Sequence, residues 1–584
     1  MGRDSRKVSR ELRSSEKINK SRSVKRKNVF NPKTAERDES IQSTSSKKLK
    51  QNTEDDVPED SSTEFRIINF IQVFTAISAL IKCKKCDGNV VFQTASTRGL
   101  GFKIVVACNN CGNEYIPSCS FVGHSYEINR RFIFVMRILG IGYEGLCKFC
   151  GLMDMPSFLD KSTHTILLKQ ILNCSKAVAE TFMTKAVNEE KQAMPTTENE
   201  DINHLTVSGD GTWQKRGYTS SFGVSSIIGY FTGKILDINI KSAYCKLCEY
   251  WKKKTNTVEF EEWYQSHEDV CSANHQGSSG KMEVDAMVEM FSYSETKYGV
   301  KYANYIGDGD SKTYSGIIKS DPYENTTVNK KECIGHVQKR MGSRLRTLKS
   351  KQKGLGGRGK LTGKLIDKLT VYYGLAIRRH CDSIENMKSA IMATFYHYGS
   401  SDEKPNHDMC PKGEESWCSY QRAEARGELD TFSHDYSPLP SDLLKAIKPI
   451  YEDLSNENLL SRCVGGFNQN NNESFNQLVW KICPKTVNTS FTIVQIAAYV
   501  AMCIFNEGIN SLLVLMNTLG LNCGPNSHRY AERMDAARIK VADKRANDNT
   551  REGRLQRRHQ QIDILEAAMS AEELLYGPGI DDSV

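Results

Sequence analysis

The sequence predicts a mixed α/β protein with a β-rich centre set between helical stretches. Three observations predict it. From His204 the helix-like apolar spacing gives way to short extended runs. Two Gly-Asp-Gly steps, at 209–211 and 307–309, follow such runs. Cysteines recur in Cys-x-x-Cys pairs, the spacing of small metal-stapled modules.

The chain has 584 residues, enough for several domains. Residues 1–62 are polar and predict a disordered basic tail. Residues 1–50 carry 16 Lys/Arg against 6 Asp/Glu, a net of +10, so the tail accounts for the whole net charge of +9. Lys25-Arg26-Lys27 and Lys47-Lys48-Leu49-Lys50 have the composition of nuclear-import signals. A basic tail in a chain of this kind points to nucleic acid and a nuclear setting. The charged opening, Met1 to Arg13, carries no apolar stretch, so no secretory signal is expected. Phe65 to Ile81 is interrupted by Arg66, Asn69, Gln72, Thr75 and Ser78, so it reads as an amphipathic core helix and not a membrane span. Nineteen cysteines in a large chain with no visible secretory signal suggest zinc in a reducing compartment, not disulfides.

Residues 63–200 read as a zinc-ribbon and helical N-terminal domain. Cys83-x2-Cys86 and Cys108-x2-Cys111 stand 21 residues apart, and four thiolates in two knuckles make a tetrahedral zinc site. Apolar stripes over Phe132 to Leu139 and Thr163 to Asn188 predict helices. Cys147-x2-Cys150 has no evident partner pair and reads as packing or an accessory thiol. The polar stretch 192–201, with Pro195, reads as a linker.

Residues 201–340 read as the first part of a core. His204 to Val207 is a strand, Ser220 to Tyr230 and Lys234 to Tyr244 a hairpin turning at Thr232-Gly233, Met282 to Tyr298 a helix and Tyr302 to Ile306 a strand. A further strand is expected near Glu332 to Gly335. Three antiparallel strands, a helix, a parallel strand and a late helix is the order of a ribonuclease-H-like fold. Such a fold brings carboxylates from strand ends and one helix onto two divalent ions. Asp210 is expected just after the first strand, Asp308 at the end of the fourth, and Glu473 at the start of the late helix. Asp310 and Asp237 are rivals. Within this part, 245–275 is a zinc-bearing insertion: Cys245, Cys248 and Cys271 need a fourth ligand, and both His267 and His275 have suitable spacing.

Residues 341–465 read as a basic segment and helical insertion. Lys339, Arg340, Arg344, Arg346, Lys349, Lys351, Lys353, Arg358, Lys360 and Lys364 occur with no intervening Asp or Glu, a composition suited to a DNA backbone. Gly354 to Lys360 nearly spells a phosphate-binding loop, but Leu361 replaces the required Ser or Thr and no buried strand precedes it. His407, Cys410 and Cys418, with His397 or Cys381, form a third candidate metal set. Residues 466–525 complete the core with the Glu473 helix, and 526–584 are a charged C-terminal tail.

The stretches SGDGTWQKRGYTSSFGVSSIIG, GSSGKMEVDAMVEMF, GVKYANYIGDGDSKTY, ECIGHVQKRMGSRLR and NQNNNESFNQLVWKICPK resemble the Mutator-like transposase domain of animal genomes, over roughly residues 65–525. The resemblance implies a ribonuclease-H-like core with an Asp-Asp-Glu triad at Asp210, Asp308 and Glu473. It also implies a large helical insertion, matched by the 164 residues between Asp308 and Glu473. It places His336 of Cys333-x2-His336 near the scissile phosphate and favours His267 as the fourth ligand of the second zinc set. The activity implied is cut-and-paste transposition with Mg²⁺ or Mn²⁺ at the triad. Its partners would be terminal inverted repeats and target DNA, bound by a homo-oligomer in the nucleus with no membrane role. A catalytically silent zinc- and DNA-binding descendant is the alternative.

Overall fold

The computed structural model describes residues 42–50, 57–195, 201–215, 219–252, 257–309, 311–357, 359–434, 436–487, 489–550 and four positions between 553 and 557. The described chain is mixed α/β and divides into two compact units. The smaller joins residues up to Ser46 with those from Arg538 onward; in it the Ser43 amide donates to Asp543 Oδ1 at 2.9 Å. The larger, Lys47–Ala537, holds every described strand. None of the described helices is long and apolar enough to cross a membrane.

Lys25-Arg26-Lys27 lies outside the described residues. The second basic motif belongs to α1 (Thr44–Lys50), where Lys48 is 3% exposed and its ammonium sits 3.7 Å from the centre of the Phe505 ring. Helix α2 (Phe70–Leu80) starts at Asn69, whose side chain accepts from the Gln72 amide. It corrects the expectation of a core helix, because it buries no residue. Phe70 and Phe74 lie against Phe102 and Phe92, but Ile71 and Leu80 stay 77% and 84% exposed. The antiparallel strands β1 (Val90–Arg98), β2 (Gly101–Cys108) and β3 (Gly112–Pro117) form the ribbon. A two-stranded turn, β4 (Phe121–Val122) and β5 (Ser125–Tyr126), leads into α3 (Glu127–Ile138), α4 (Tyr143–Leu152) and α5 (Lys161–Ala193). The Asp160 carboxylate accepts from the Thr163 amide and caps α5. Cys150 on α4 is buried in the core, as packing requires.

The central sheet comprises β6 (His204–Trp213), β7 (Phe222–Gly229) and β8 (Ile235–Ser242). After α6 (Lys246–Trp251), α7 (Val258–His267) and α8 (Ser279–Tyr298) come β9 (Lys301–Gly307), α9 (Ser311–Ser320) and β10 (Asn329–Glu332). Strand order is β10-β9-β6-β7-β8. The β6–β7 and β7–β8 pairs are antiparallel, and β9 runs parallel to both β6 and β10. The β7–β8 turn holds Gly233 at φ +64°, a conformation glycine adopts without a Cβ penalty. Both faces of the sheet are covered. Phe222, Val224 and Ile228 pack with α16 (Asn470–Ile482) and α17 (Phe491–Glu507), while Ile227 and Leu236 pack on the α8 side. That period-2 division explains why β7 is buried along its whole length.

Between β10 and α16 the insertion is entirely helical among the described residues. It runs through α10 (Ile334–Lys351), α11 (Gly363–Arg379), α12 (Ile384–Gly399), α13 (Ser419–Arg426), α14 (Ser441–Leu454) and α15 (Glu457–Leu460). It has its own core of Met341, Leu345, Leu369, Tyr373, Ile391, Leu443 and Ile447. The last helices assigned among the described residues are α18 (Asn510–Thr518) and α19 (Pro525–Asp548).

One buried charge ties the sheet to the helices. Lys234, 1% exposed, contacts Glu189 at 2.6 Å and Glu507 at 2.9 Å. Removing one partner of a buried pair strands the other charges, at about 3–5 kcal/mol. Lys234→Ala should therefore lower stability by about that amount in denaturant unfolding. A loss below about 1 kcal/mol would show that the pair is not buried in solution.

Candidate active site and metal centres

Asp210 lies inside β6, not after it. The Gly-Asp-Gly step looks like a turn, but here it is extended backbone paired with β7, Asp210 opposite Ser226. The glycines serve close packing. A Cβ at Gly209 would meet the Tyr305 ring at 2.6 Å, and one at Gly211 the Glu283 carboxylate at 2.7 Å. On the other side β9 runs parallel, with Ser208 opposite Ile306. Asp210 and Asp308 each stand two residues beyond that pair, so parallel pairing carries both to the same end of the sheet. Burial and the neighbouring Asp308 charge push the Asp210 carboxyl up to about 6, against hydrogen bonds from the Gly211 amide and Asn476.

Glu473 sits in the first turn of α16, as expected. Its carboxylate is half exposed, 3.9 Å from the Lys339 ammonium. The same turns supply residues that the sequence reading missed. The Asn476 amide donates to Asp210 Oδ2 at 2.7 Å. The Ser208 hydroxyl bonds the buried Asn472 side-chain oxygen at 2.7 Å, and the Gln469 amide donates to the Gly209 carbonyl at 2.8 Å. These bonds fix α16 against β6. The available signal was the helical three-residue step from Glu473 to Asn476.

The strand expected near Glu332 to Gly335 ends before Cys333. β10 stops at Glu332, Cys333 caps α10, and His336 lies in its first turn, with Nδ1 3.1 Å from Gln469 Oε1. Its contact with Cys333 holds the imidazole above its ordinary range against burial, with help from Asp308. Of the rival acids, Asp310 lies outside the described residues. Asp237 is fully buried under α8 beside Lys297 (3.2 Å) and Tyr298 (3.4 Å), which makes it structural.

Three Cys/His quartets each bring their ligand atoms within 4.8 Å of one another: Cys83, Cys86, Cys108, Cys111; Cys245, Cys248, His267, Cys271; and His397, His407, Cys410, Cys418. Each is a soft donor set suited to zinc. In the second, His267 Nε2 lies 3.3 Å from both Cys245 and Cys248. His275 instead faces Asp285 and the Ser278 carbonyl. Cys381 stands outside the third set, near Gly466. The three acids form no such compact group.

The basic run occupies α10 and the loop after it. It is not free of counter-charge. Arg340 pairs with Glu332 at 2.6 Å, Arg346 with Asp367 at 2.5 Å, and Arg344 with Asp453. These acids come from other segments, so the local sequence could not display them. The side chains of Lys339, Lys351 and Lys353 are exposed, those of Lys349 and Lys360 partly so, and Arg358 lies outside the described residues. The Lys360 ammonium donates to the Gly354 carbonyl, which closes the loop on itself.

Residues 64–418 match the family model of the Mutator-like transposases. No curated protein and no solved structure matches the chain.

Proposed function

Because the chain belongs to the Mutator-like transposase family, we propose that it is a DNA transposase with a ribonuclease-H-like core, cleaving and joining strands at the inverted ends of its element. The observation that carries this reading is the parallel pairing of β6 with β9, which sets Asp210 beside Asp308 under the α16 helix that bears Glu473. Two hard carboxylates held in mutual repulsion are a donor set for Mg²⁺ or Mn²⁺. Asp210, Asp308 and Glu473 would hold those ions, which when bound supply charge stabilisation at the transferring phosphoryl group. Asn476 orients Asp210, and the Lys339 ammonium lies 3.9 Å from the Glu473 carboxylate. The first two Cys/His quartets hold zinc and staple the ribbon and the 245–275 insertion. The protein works in the nucleus, as a homo-oligomer on DNA.

The exposed and partly exposed lysines after the catalytic strands bind the DNA backbone. Each phosphate left without its lysine should shallow the slope of log affinity against log salt by about 0.9. Lys349→Ala, Lys351→Ala and Lys353→Ala together should therefore reduce it by about 2–3. An unchanged slope on a terminal-repeat duplex would place the DNA elsewhere.

Two observations favour the catalytically silent reading: Glu473 is half exposed, and the three acids do not form a compact group. The deciding experiment incubates the protein with the inverted repeats that flank its gene, in Mg²⁺ or Mn²⁺. Strand cleavage and joining support the transposase. Tight binding without cleavage supports the silent descendant.

A further inference from the structure

The helical insertion contains a histidine relay that none of the catalytic chemistry uses. Its centre is the third quartet. His397 comes from the last turn of α12, His407 and Cys410 from the loop that follows, and Cys418 from the cap of α13. All four are buried: 7%, 2%, 4% and 0% exposed. Buried polar groups need partners, and these four face one another. The two Nδ1 atoms are 3.3 Å apart. Cys418 Sγ lies 3.4 Å from His407 Nδ1 and 3.6 Å from His397 Nδ1. Cys410 Sγ lies 3.7 and 3.9 Å from the same atoms. Zinc bonds of about 2.0–2.1 Å to nitrogen and about 2.3 Å to sulfur, at tetrahedral angles, give edges of about 3.3 Å between nitrogens and about 3.6 Å between nitrogen and sulfur. These five edges are close to those of a tetrahedron around a single ion.

The outer side of His407 is equally ordered. Its Nε2 lies 2.9 Å from His434 Nε2 and 2.9 Å from the Ser400 hydroxyl. His434 Nδ1 meets the Asp402 carboxylate, which also accepts from the His434 amide at 2.9 Å. The His434 side chain is 3% exposed. One proton arrangement satisfies the whole chain. His407 keeps the Nδ1 lone pair for the ion and donates Nε2–H to His434 Nε2, and His434 donates Nδ1–H to Asp402. Outer partners of this kind fix the tautomer and ring orientation of a metal-bound histidine.

We propose that His397, His407, Cys410 and Cys418 form a zinc site and that His434 and Asp402 are its positioning residues, so that zinc locks the loop 400–418 and the segment bearing His434 onto α12. This assignment is independent of the transposition reading, since it concerns a metal count and a ligand field.

The test uses the full-length protein. Metal analysis should find three zinc per chain, falling to two in Cys418→Ser. Should that variant fail to fold, His434→Ala carries the test, because it leaves every ligand in place. His434→Ala should still bind three zinc, but release one of them to a chelator about 10–100-fold faster. In the cobalt-substituted protein its visible ligand-field band should also shift, which a purely structural role would not cause. His434→Gln, which keeps a polar partner for His407, should restore part of the slow release. Two zinc in the wild type, or release and spectrum unchanged in His434→Ala, would overturn the proposal.

Discussion

Asp210→Asn should abolish strand cleavage and joining while leaving DNA binding intact. The substitution keeps the shape of the side chain and removes the charge that would hold a divalent ion. Transition-state stabilisation by such ions is worth several kcal/mol, so the rate should fall at least about 10³-fold. Glu473→Gln should match it. Asn476→Ala, which removes only the bond that orients Asp210, should cost about 10–100-fold. Stability should move the other way. The Asp210 carboxyl is pushed up to about 6 by burial and Asp308, above the range of an unfolded aspartate. Its ionisation therefore opposes folding as pH rises from about 4 through 6. The neutral amide avoids that opposition, so the Tm of Asp210→Asn at pH 7 should be no lower than that of wild type. Cleavage rates of both acid variants within tenfold of wild type would sink the assignment.

Cys108→Ser should unfold the ribbon and remove one zinc per chain. The ribbon has almost no apolar core to fall back on. β3 buries no residue and β1 only Val90, and α2 contributes only partial cover. Structural zinc in small modules supplies about 10–16 kcal/mol of apparent folding free energy, far more than those few contacts. Protease should then cut between residues 83 and 117 in the variant and in chelator-treated wild type, while the central sheet stays protected. A ribbon that resists protease with its zinc count unchanged would show that the thiolates are not ligands.

Local patterns carried much of this fold. The β7–β8 hairpin was legible from two apolar runs around a glycine turn, and the ribbon quartet from paired Cys-x-x-Cys spacing. The parallel neighbour of β6 followed from strand order. What escaped the sequence depended on distant groups. Gly209–Gly211 has turn chemistry but forms strand paired with β7, and its glycines answer to Tyr305 and Glu283, which leave no room for a Cβ. The run from Lys339 to Lys364 looks unopposed, yet Glu332, Asp367 and Asp453 neutralise three of its arginines. Phe65 to Ile81 has the apolar content of a core helix but buries none of its helical residues, and Phe70 and Phe74 meet the ribbon only as half-buried rings. His434 lies 27 residues from His407, too far for any ligand spacing to suggest their contact.

The insertion between the two aspartates and α16 also sets a timetable. The ribosome must add 164 residues after Asp308 before Glu473 exists. At about 5–20 residues per second that takes about 8–30 s. Throughout that interval β6, β7, β8 and β9 have been synthesised without the helix whose Gln469, Asn472 and Asn476 clasp β6. A nascent chain therefore carries a half-built site, and a message broken within the insertion yields a product that lacks Glu473 and the clasp together.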